Sequence, residues 1–230
     1  IEVFSKIKKE KLDIGINFGC WSLPSKELIE SISKTFNMEK TCISVSPESG
    51  SEKIRDINKG ASYSNAKFYE TIKILKSYGV HASCHFGLGF PRETEEDFAE
   101  TLKMFRALKG TGYYLSIRSM PLEPGSPMYL EPERFGIEPY RRCFNDYYEY
   151  CRDIYFDTAP KHPFGYRTEH FSEDELSTLK IKAYRAFYLR PGFILPRLSW
   201  TKNVKGAPDA FKVGLATLIG SKHLLNKWER

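Results

Sequence analysis

An α/β fold, a parallel sheet curled into a part-barrel with helices after it, is what this sequence predicts. Three observations lead there. A strand-then-helix unit recurs from the start of the chain to Met120. Glycines and capping residues stand where the helices of that unit should end or begin. The strands are apolar on one side and polar or small on the other. Strands alternating with helices of this length argue parallel pairing with right-handed crossovers.

Taken in order, LDIGINFGC (12–20) reads as the first strand and KELIESISKTF (26–36) as its helix. CISVSPE (42–48) is the second strand, followed by a short helix, SEKIRDINKG (51–60), and a longer one, AKFYETIKILKSYG (66–79). VHASCHFGLGF (80–90) is the third, with EEDFAETLKMFRALKG (95–110) after it, and YYLSIRSM (113–120) is the fourth. Gly60, Gly79 and Gly110 fall where a glycine just past the last turn ends a helix. Thr94 precedes Glu95, Glu96 and Asp97, which fits an N-cap whose first turn carries the acids a helix dipole favours. Phe68, Ile72 and Leu75 share one helical face, and Phe98, Leu102 and Phe105 share another.

Sorted by period two, one strand face reads Leu12, Ile14, Ile16, Phe18; Ile43, Val45; Ala82, Cys84, Phe86, Leu88; Leu115, Ile117. The other reads Asp13, Gly15, Asn17, Gly19; Cys42, Ser44, Ser46, Glu48; His81, Ser83, His85, Gly87; Tyr114, Ser116, Arg118, Met120. A doubly wound sheet buries both faces and should be apolar on both. Closing the sheet into a part-barrel accounts for the difference: helices cover the apolar side and the polar side lines a lumen. An ordinary eight-stranded barrel fills its interior with branched apolar side chains. Burying Glu48 and Arg118 unpaired would cost on the order of several kcal/mol each. The lumen is therefore expected to be wide, wet and suited to a polar ligand. The alternative, inward polar groups pairing with one another, stays open at this point.

Composition sets outer bounds. The 230 residues carry a formal net charge of +6 and a mean hydropathy of −0.45, values of a water-soluble globular chain. No apolar run reaches the length of a membrane span, and the opening IEVFSKIKKEKLDIG has no signal-peptide core. Five cysteines without a tight pairing pattern argue against a disulfide scaffold and for a reducing cytoplasm. From Lys180 onward 11 Lys/Arg face two acids, a basic tail that suits nucleic acid, anionic lipid, an acidic partner or plain solvent.

Three loops at strand ends carry the chemistry, as expected where parallel strands hand over to helices. Ser46-Pro47-Glu48-Ser49-Gly50-Ser51 sets a carboxylate at the rim. Gly87-Leu88-Gly89-Phe90-Pro91-Arg92-Glu93-Thr94 has glycines that would let a ligand approach the backbone. Pro121-Leu122-Glu123-Pro124-Gly125-Ser126-Pro127 is a rigid turn. Singly each has an ordinary reading, such as glycines for turns and Glu48 as the acid of a helix start. Together and in this order, SVSPESGSEKIRDINKG, FGLGFPRETEEDFAETL and MPLEPGSPMY resemble the second half of a radical S-adenosylmethionine (SAM) enzyme core. The branch resembled holds oxygen-independent coproporphyrinogen oxidases, methylthiotransferases and cobalamin-dependent methylases. AYRAFYLRPGFIL is similar to a segment that follows the barrel in cobalamin-associated members.

The resemblance implies a partial (β/α) barrel, the last four strands of a six-strand core, over residues 1–130, with a mostly helical extension over 131–230. It implies SAM and a [4Fe–4S] cluster as cofactors, with cobalamin a further one. Ser46 and Glu48 would belong to the cofactor site, Glu48 bonding the SAM ribose hydroxyls. Gly87, Gly89 and Pro91 would lie along the adenosine, and Met120, Pro121 and Leu122 near the adenine edge. Arg118, His81, His85 and Ser83 would face the same lumen, toward SAM or substrate. In the intact protein, a 5′-deoxyadenosyl radical would abstract hydrogen from a small-molecule substrate, with methylation, cyclisation or another rearrangement as the outcome and an electron donor as partner.

One departure is large. The family's CxxxCxxC loop is missing, since the cysteines stand at 20, 42, 84, 143 and 151. The expectation is a C-terminal fragment, inactive alone, whose partner is the upstream part of the same protein. The five cysteines read as structural thiols, and His162 and His170 as surface residues rather than metal ligands. Further helices are expected over 138–156, 174–191 and 209–229. The rivals are an RNA-modifying, methylthiotransferase-like enzyme, a barrel-derived binding module, and an acid–base enzyme using His81, His85 and Glu48. Peripheral membrane contact through the basic tail is a minority alternative.

Overall fold

Alternate residues of the second predicted strand are buried and half-buried in turn, and the structure shows why. The computed structural model describes residues 2–9, 12–60, 63–108, 113–119, 122–140, 148, 165–189 and 191. Its main sheet has the order β1-β2-β3-β4, with β1 at Asn17–Cys20, β2 at Cys42–Glu48, β3 at His81–Leu88 and β4 at Tyr113–Ser119. β1 pairs parallel with β2, and β2 parallel with β3. Helices α1 (Glu2–Lys9), α2 (Lys26–Thr35), α3 (Glu52–Lys59), α4 (Asn65–Ser77) and α5 (Glu95–Ala107) are interleaved with these strands. The chain groups into two compact units, residues 1–86 with 112–116, and residues 87–111 with 117–230.

In the first unit the apolar strand face meets the helices. Ile43 and Val45 of β2, Ala82, Cys84 and Phe86 of β3, Ile29 and Ile32 of α2, Ile54 of α3, and Phe68 and Leu75 of α4 are all buried. Each large side chain there contributes about 1.5–3 kcal/mol through removal from water. The helices begin on serines: the hydroxyls of Ser25, Ser51 and Ser64 accept from Leu28, Ile54 and Lys67 N–H groups. Gly60 ends α3 at φ 61, a left-handed turn that costs a glycine little.

In the second unit α5 opens with a full capping box between Thr94 and Asp97. Its buried face (Phe98, Leu102, Phe105) lies against α7 (Glu173–Tyr188), with Phe105 and Phe187 edge to face at 6.3 Å. The Tyr184 hydroxyl donates to the Ile117 carbonyl at 3.2 Å. Between them come a one-turn helix, α6 (Pro127–Leu130), and a two-stranded antiparallel ribbon of β5 (Ile137–Pro139) and β6 (Tyr166–Thr168).

Three expectations need correction. The first strand was expected from Leu12, but only Asn17–Cys20 is strand, and Leu12 and Ile14 are exposed rather than packed on helices. Residues 12–16 instead bond the 37–42 segment: Asn37 N–H to Ile14 O, Ile16 N–H to Thr41 Oγ1, and Lys40 to Asp13. The helix expected from Glu138 begins instead as strand β5, because Gly136 turns left-handed and Pro139 takes an edge position where it owes no ladder N–H. Helix α1, which sequence reading left unassigned, packs Phe4 edge-on against Phe36 at 5.3 Å. The helix expected over 209–229 lies outside the described residues, as does nearly all of 141–164.

Candidate functional site

The parallel register sets the polar strand positions side by side. Gly19 lies opposite Ser44, and Ser44 opposite Ser83; Asn17 lies opposite Cys42, and Cys42 opposite His81. His81 is exposed, Ser83 and His85 are half-buried, and the His85 Nε2 stands 3.3 Å from the Ser83 hydroxyl. A Cβ built on Gly19 would meet no described atom within 4 Å, so this face has room beside Ser44. Cys84 faces the core at 0% exposure, and burial pushes its thiol up to about 12. Cys42 is half-buried on the polar face, and burial raises its thiol as well.

At the end of β2 the ladder breaks. Val45 is opposite Cys84 but Glu48 is opposite Phe86, so β2 carries one residue more than β3 over this stretch, a bulge of the kind that re-aims a side chain. Glu48 itself sits at φ 62, a left-handed conformation uncommon for a non-glycine and worth about 1–3 kcal/mol of strain. Its carboxylate is one-quarter exposed and lies 3.8 Å from the ammonium of Lys59, whose side chain is 1% exposed. That ammonium also donates to the Ser46 carbonyl and lies 4.7 Å from the ring centre of Trp21, just past β1. Burial lowers the Lys59 pKa while Glu48 opposes the shift. The result is a carboxylate with a fixed counter-charge, presented beside an exposed indole.

One helical turn before Lys59, Arg55 is buried at 1% exposure. Its Nε donates to the Pro47 carbonyl (3.1 Å), and Nη2 to the Ser49 carbonyl (2.8 Å) and to Asn65 Oδ1 (2.6 Å). Nη1 donates to the Tyr63 carbonyl (2.6 Å), and the guanidinium lies 4.6 Å over the Tyr63 ring. Asn65 in turn donates to the Gly50 carbonyl at 2.8 Å. Sequence reading missed Arg55. A lone basic residue on a short helix reads as a solvated position, and only its placement under the β2–α3 loop sets it apart.

The glycine-rich loop forms a second feature, within the second unit. Glu93 is buried, and its Oε2 accepts the N–H groups of Gly89 (2.8 Å) and Phe90 (3.3 Å). Its Oε1 is buried with no hydrogen-bond partner, and burial pushes the carboxyl up to about 7. A Cβ on Gly87 would fall 2.3 Å from the Phe90 ring, and one on Gly89 3.0 Å from the Tyr166 hydroxyl. The glycines therefore admit Phe90, Tyr166 and Leu176 on those sides, in place of the close ligand approach expected of them. The Tyr166 hydroxyl donates to the Gly89 carbonyl at 3.1 Å, fixing the loop from β6.

Ser46, His81, Ser83 and His85 thus lie on one polar strand face, Glu48 is half-buried at the bulge opposite Phe86, and Gly87, Gly89, Pro91 and Leu122 are buried. Met120, Pro121 and the side chain of Arg118 lie outside the described residues, as do Cys143, Cys151 and His162. His170 is exposed, 3.4 Å from the Glu169 carboxylate. Among the described residues no three His, Cys, Asp or Glu side chains are grouped to hold a metal, and Cys42 and Cys84 point to opposite strand faces. These residues do not fit a [4Fe–4S] cluster. No described helix is long and apolar enough to cross a membrane.

Residues 1–105 match the family model of the radical SAM superfamily, the family that the strand-end motifs resemble. Members of this superfamily use SAM and a [4Fe–4S] cluster. The chain is 28% identical over 200 residues to an uncharacterized methyltransferase of Pyrococcus horikoshii, covering 85% of this chain and 39% of that protein. It is 29% identical over 115 residues to a tRNA-2-methylthio-N(6)-dimethylallyladenosine synthase of Pelotomaculum thermopropionicum, covering 48% of this chain and 24% of that one. The chain thus spans well under half the length of these curated relatives. Among solved structures it is similar to the radical SAM methyltransferase TsrM of Kitasatospora setae with tryptophan and a SAM analog bound, at TM-score 0.49 and 16% identity, over 83% of this chain and 40% of that one.

Proposed function

We propose that this chain supplies part of the SAM-holding wall of a radical SAM enzyme that modifies a small organic substrate, with methylation as the outcome. The observation that carries the reading is Glu48, held left-handed at a bulge on the polar strand end, in the motif that matches the family. Glu48 accepts hydrogen bonds from the ribose hydroxyls of SAM. Lys59 is its counter-charge at 3.8 Å, and hydrogen bonds to a carboxylate are charge-assisted. Ser44, Ser83 and His85 offer further polar groups on the same face, and the open side of Gly19 leaves room beside them. Methylation is supported by the name of the Pyrococcus relative.

When present, the [4Fe–4S] cluster of the superfamily supplies the electron for SAM cleavage; its ligands are not among the five cysteines of this sequence, which have no CxxxCxxC spacing. This chain alone is accordingly inactive and binds SAM weakly. Cobalamin is the further cofactor proposed for the intact enzyme, together with an electron donor, and no described residue is assigned to either. The test is titration of SAM into the chain, followed by amide chemical shifts. Glu48→Ala is expected to weaken binding by roughly 1.5–3 kcal/mol, the worth of charge-assisted hydrogen bonds. An unchanged dissociation constant contradicts the role of Glu48.

A further inference from the structure

Two facts about the β2–α3 loop bear on how Glu48 is held. The residue proposed to hold SAM is strained, and the carbonyls on either side of it are both held by one buried guanidinium. Arg55 donates Nε–H to the Pro47 carbonyl at 3.1 Å and Nη2–H to the Ser49 carbonyl at 2.8 Å. Glu48, between them, is at φ 62. A left-handed glutamate persists only where its surroundings over-determine it. A planar guanidinium with donors fixed in a fork can set the directions of two peptide planes at once, which a single ammonium cannot.

The cost of placing Arg55 there is visible. It is 1% exposed, burial lowers its pKa, and its hydrogen-bond partners are the neutral oxygens of Pro47, Ser49, Tyr63 and Asn65. A buried cation bonded to carbonyls in place of a carboxylate is an expensive way to stabilise a loop. The expense is accounted for if the arrangement fixes a conformation. Asn65 continues the arrangement, accepting from Arg55 and donating to the Gly50 carbonyl at 2.8 Å, so the carbonyls of Pro47, Ser49 and Gly50 are tied to α3 or α4, while the Ser49 N–H closes the turn on the Pro47 carbonyl at 2.7 Å.

We infer that Arg55 is a positioning residue. It holds the Pro47 and Ser49 carbonyls, before and after Glu48, and so keeps the left-handed turn that aims the carboxylate; its effect on SAM rests on the ribose-binding role proposed above for Glu48.

The test reads the backbone at residue 48 directly, by three-bond HN–Hα couplings and Cα and Cβ shifts in the 230-residue chain and its variants. Arg55→Met, and Arg55→Lys should the first fail to fold, are expected to move Glu48 out of the left-handed region while the shifts of the α2 and α4 cores stay as they are. Glu48 remaining left-handed in a folded Arg55 variant overturns the inference, whatever SAM does. A second arm titrates SAM. Arg55→Lys is expected to lower affinity at least about ten-fold in the Glu48 chain, but to add nothing in Glu48→Ala. Equal losses in both backgrounds reduce Arg55 to a general structural role and also overturn the inference. If Glu48→Ala leaves SAM affinity unchanged while Arg55 variants still release the turn, the clamp stands and the ribose reading fails.

Discussion

Glu93 shows how far one residue's surroundings can invert its usual behaviour. Its folded pKa, near 7, lies above the ordinary glutamate value of 4.5 because burial disfavours the charge more than the Gly89 and Phe90 N–H groups favour it. At this residue the folded state therefore holds more proton than the unfolded one between about pH 4.5 and 7, and the Glu93 contribution to stability falls as pH rises through that window. The loss is complete above the folded pKa and amounts to a few kcal/mol (~1.4 kcal/mol per pKa unit). Glu93→Gln is expected to flatten the dependence, so that urea unfolding at pH 5 and pH 8 shows the variant gaining on the parent at the higher pH. Identical pH slopes in the two proteins would contradict the burial account. Residue-level legibility was uneven. Glu48 stood out through its motif, and Thr94 through its cap. Arg55, Lys59 and Glu93 did not, because what distinguishes them is burial beneath loops, and burial of a charged side chain leaves no periodic trace in sequence.

At the scale of elements, turns and caps did most of the sorting. Strands β2 and β3 and helices α2 to α5 fall within a few residues of where alternation, helical periodicity, the Thr94 cap and the Gly60 and Gly79 stops place them. The failures have a common cause: short pieces whose partners are distant. β5 and β6, three residues each, pair across 26 intervening positions, and nothing local in IEP or YRT calls for a strand. Yet β6 matters to the glycine-rich loop, since Tyr166 is fully buried and bonds the Gly89 carbonyl. Gly89 itself adopts φ 79, so Gly89→Ala should cost about 1–2 kcal/mol from the left-handed backbone alone. The contact of the new methyl with the Tyr166 hydroxyl adds to that. Denaturant midpoints measure it, and an alanine variant as stable as the parent would show that the loop relaxes freely.

For the molecule as a whole, the polar strand face was the legible part, because parallel register turns a period of two in sequence into rows in space: Gly19, Ser44 and Ser83 side by side. Closure of that sheet into a barrel is a proposal resting on the polar strand face and on family resemblance. The boundary near residue 130 is a proposal too, and of the basic tail from Lys180 the described residues take in only 180–189 and 191. That tail separates the small-molecule reading from the RNA-modifying one suggested by the likeness to a tRNA-modifying synthase. RNA binding through it predicts an affinity that falls with salt at a log–log slope near −0.7 per phosphate contact. The small-molecule account predicts no RNA binding of that kind, and filter binding at two salt concentrations distinguishes them.

The central claim is that the polar side of β1, β2 and β3 receives the adenosyl group of SAM. Amide shift mapping of the chain with millimolar SAM tests it most directly. The account predicts perturbations at Gly19, Ser44, Ser46, Glu48, Ser83 and His85, with the buried positions Ile43, Val45 and Ala82 little changed beyond their neighbours' influence. Perturbations confined to the helices, or none at any of the six, would contradict it.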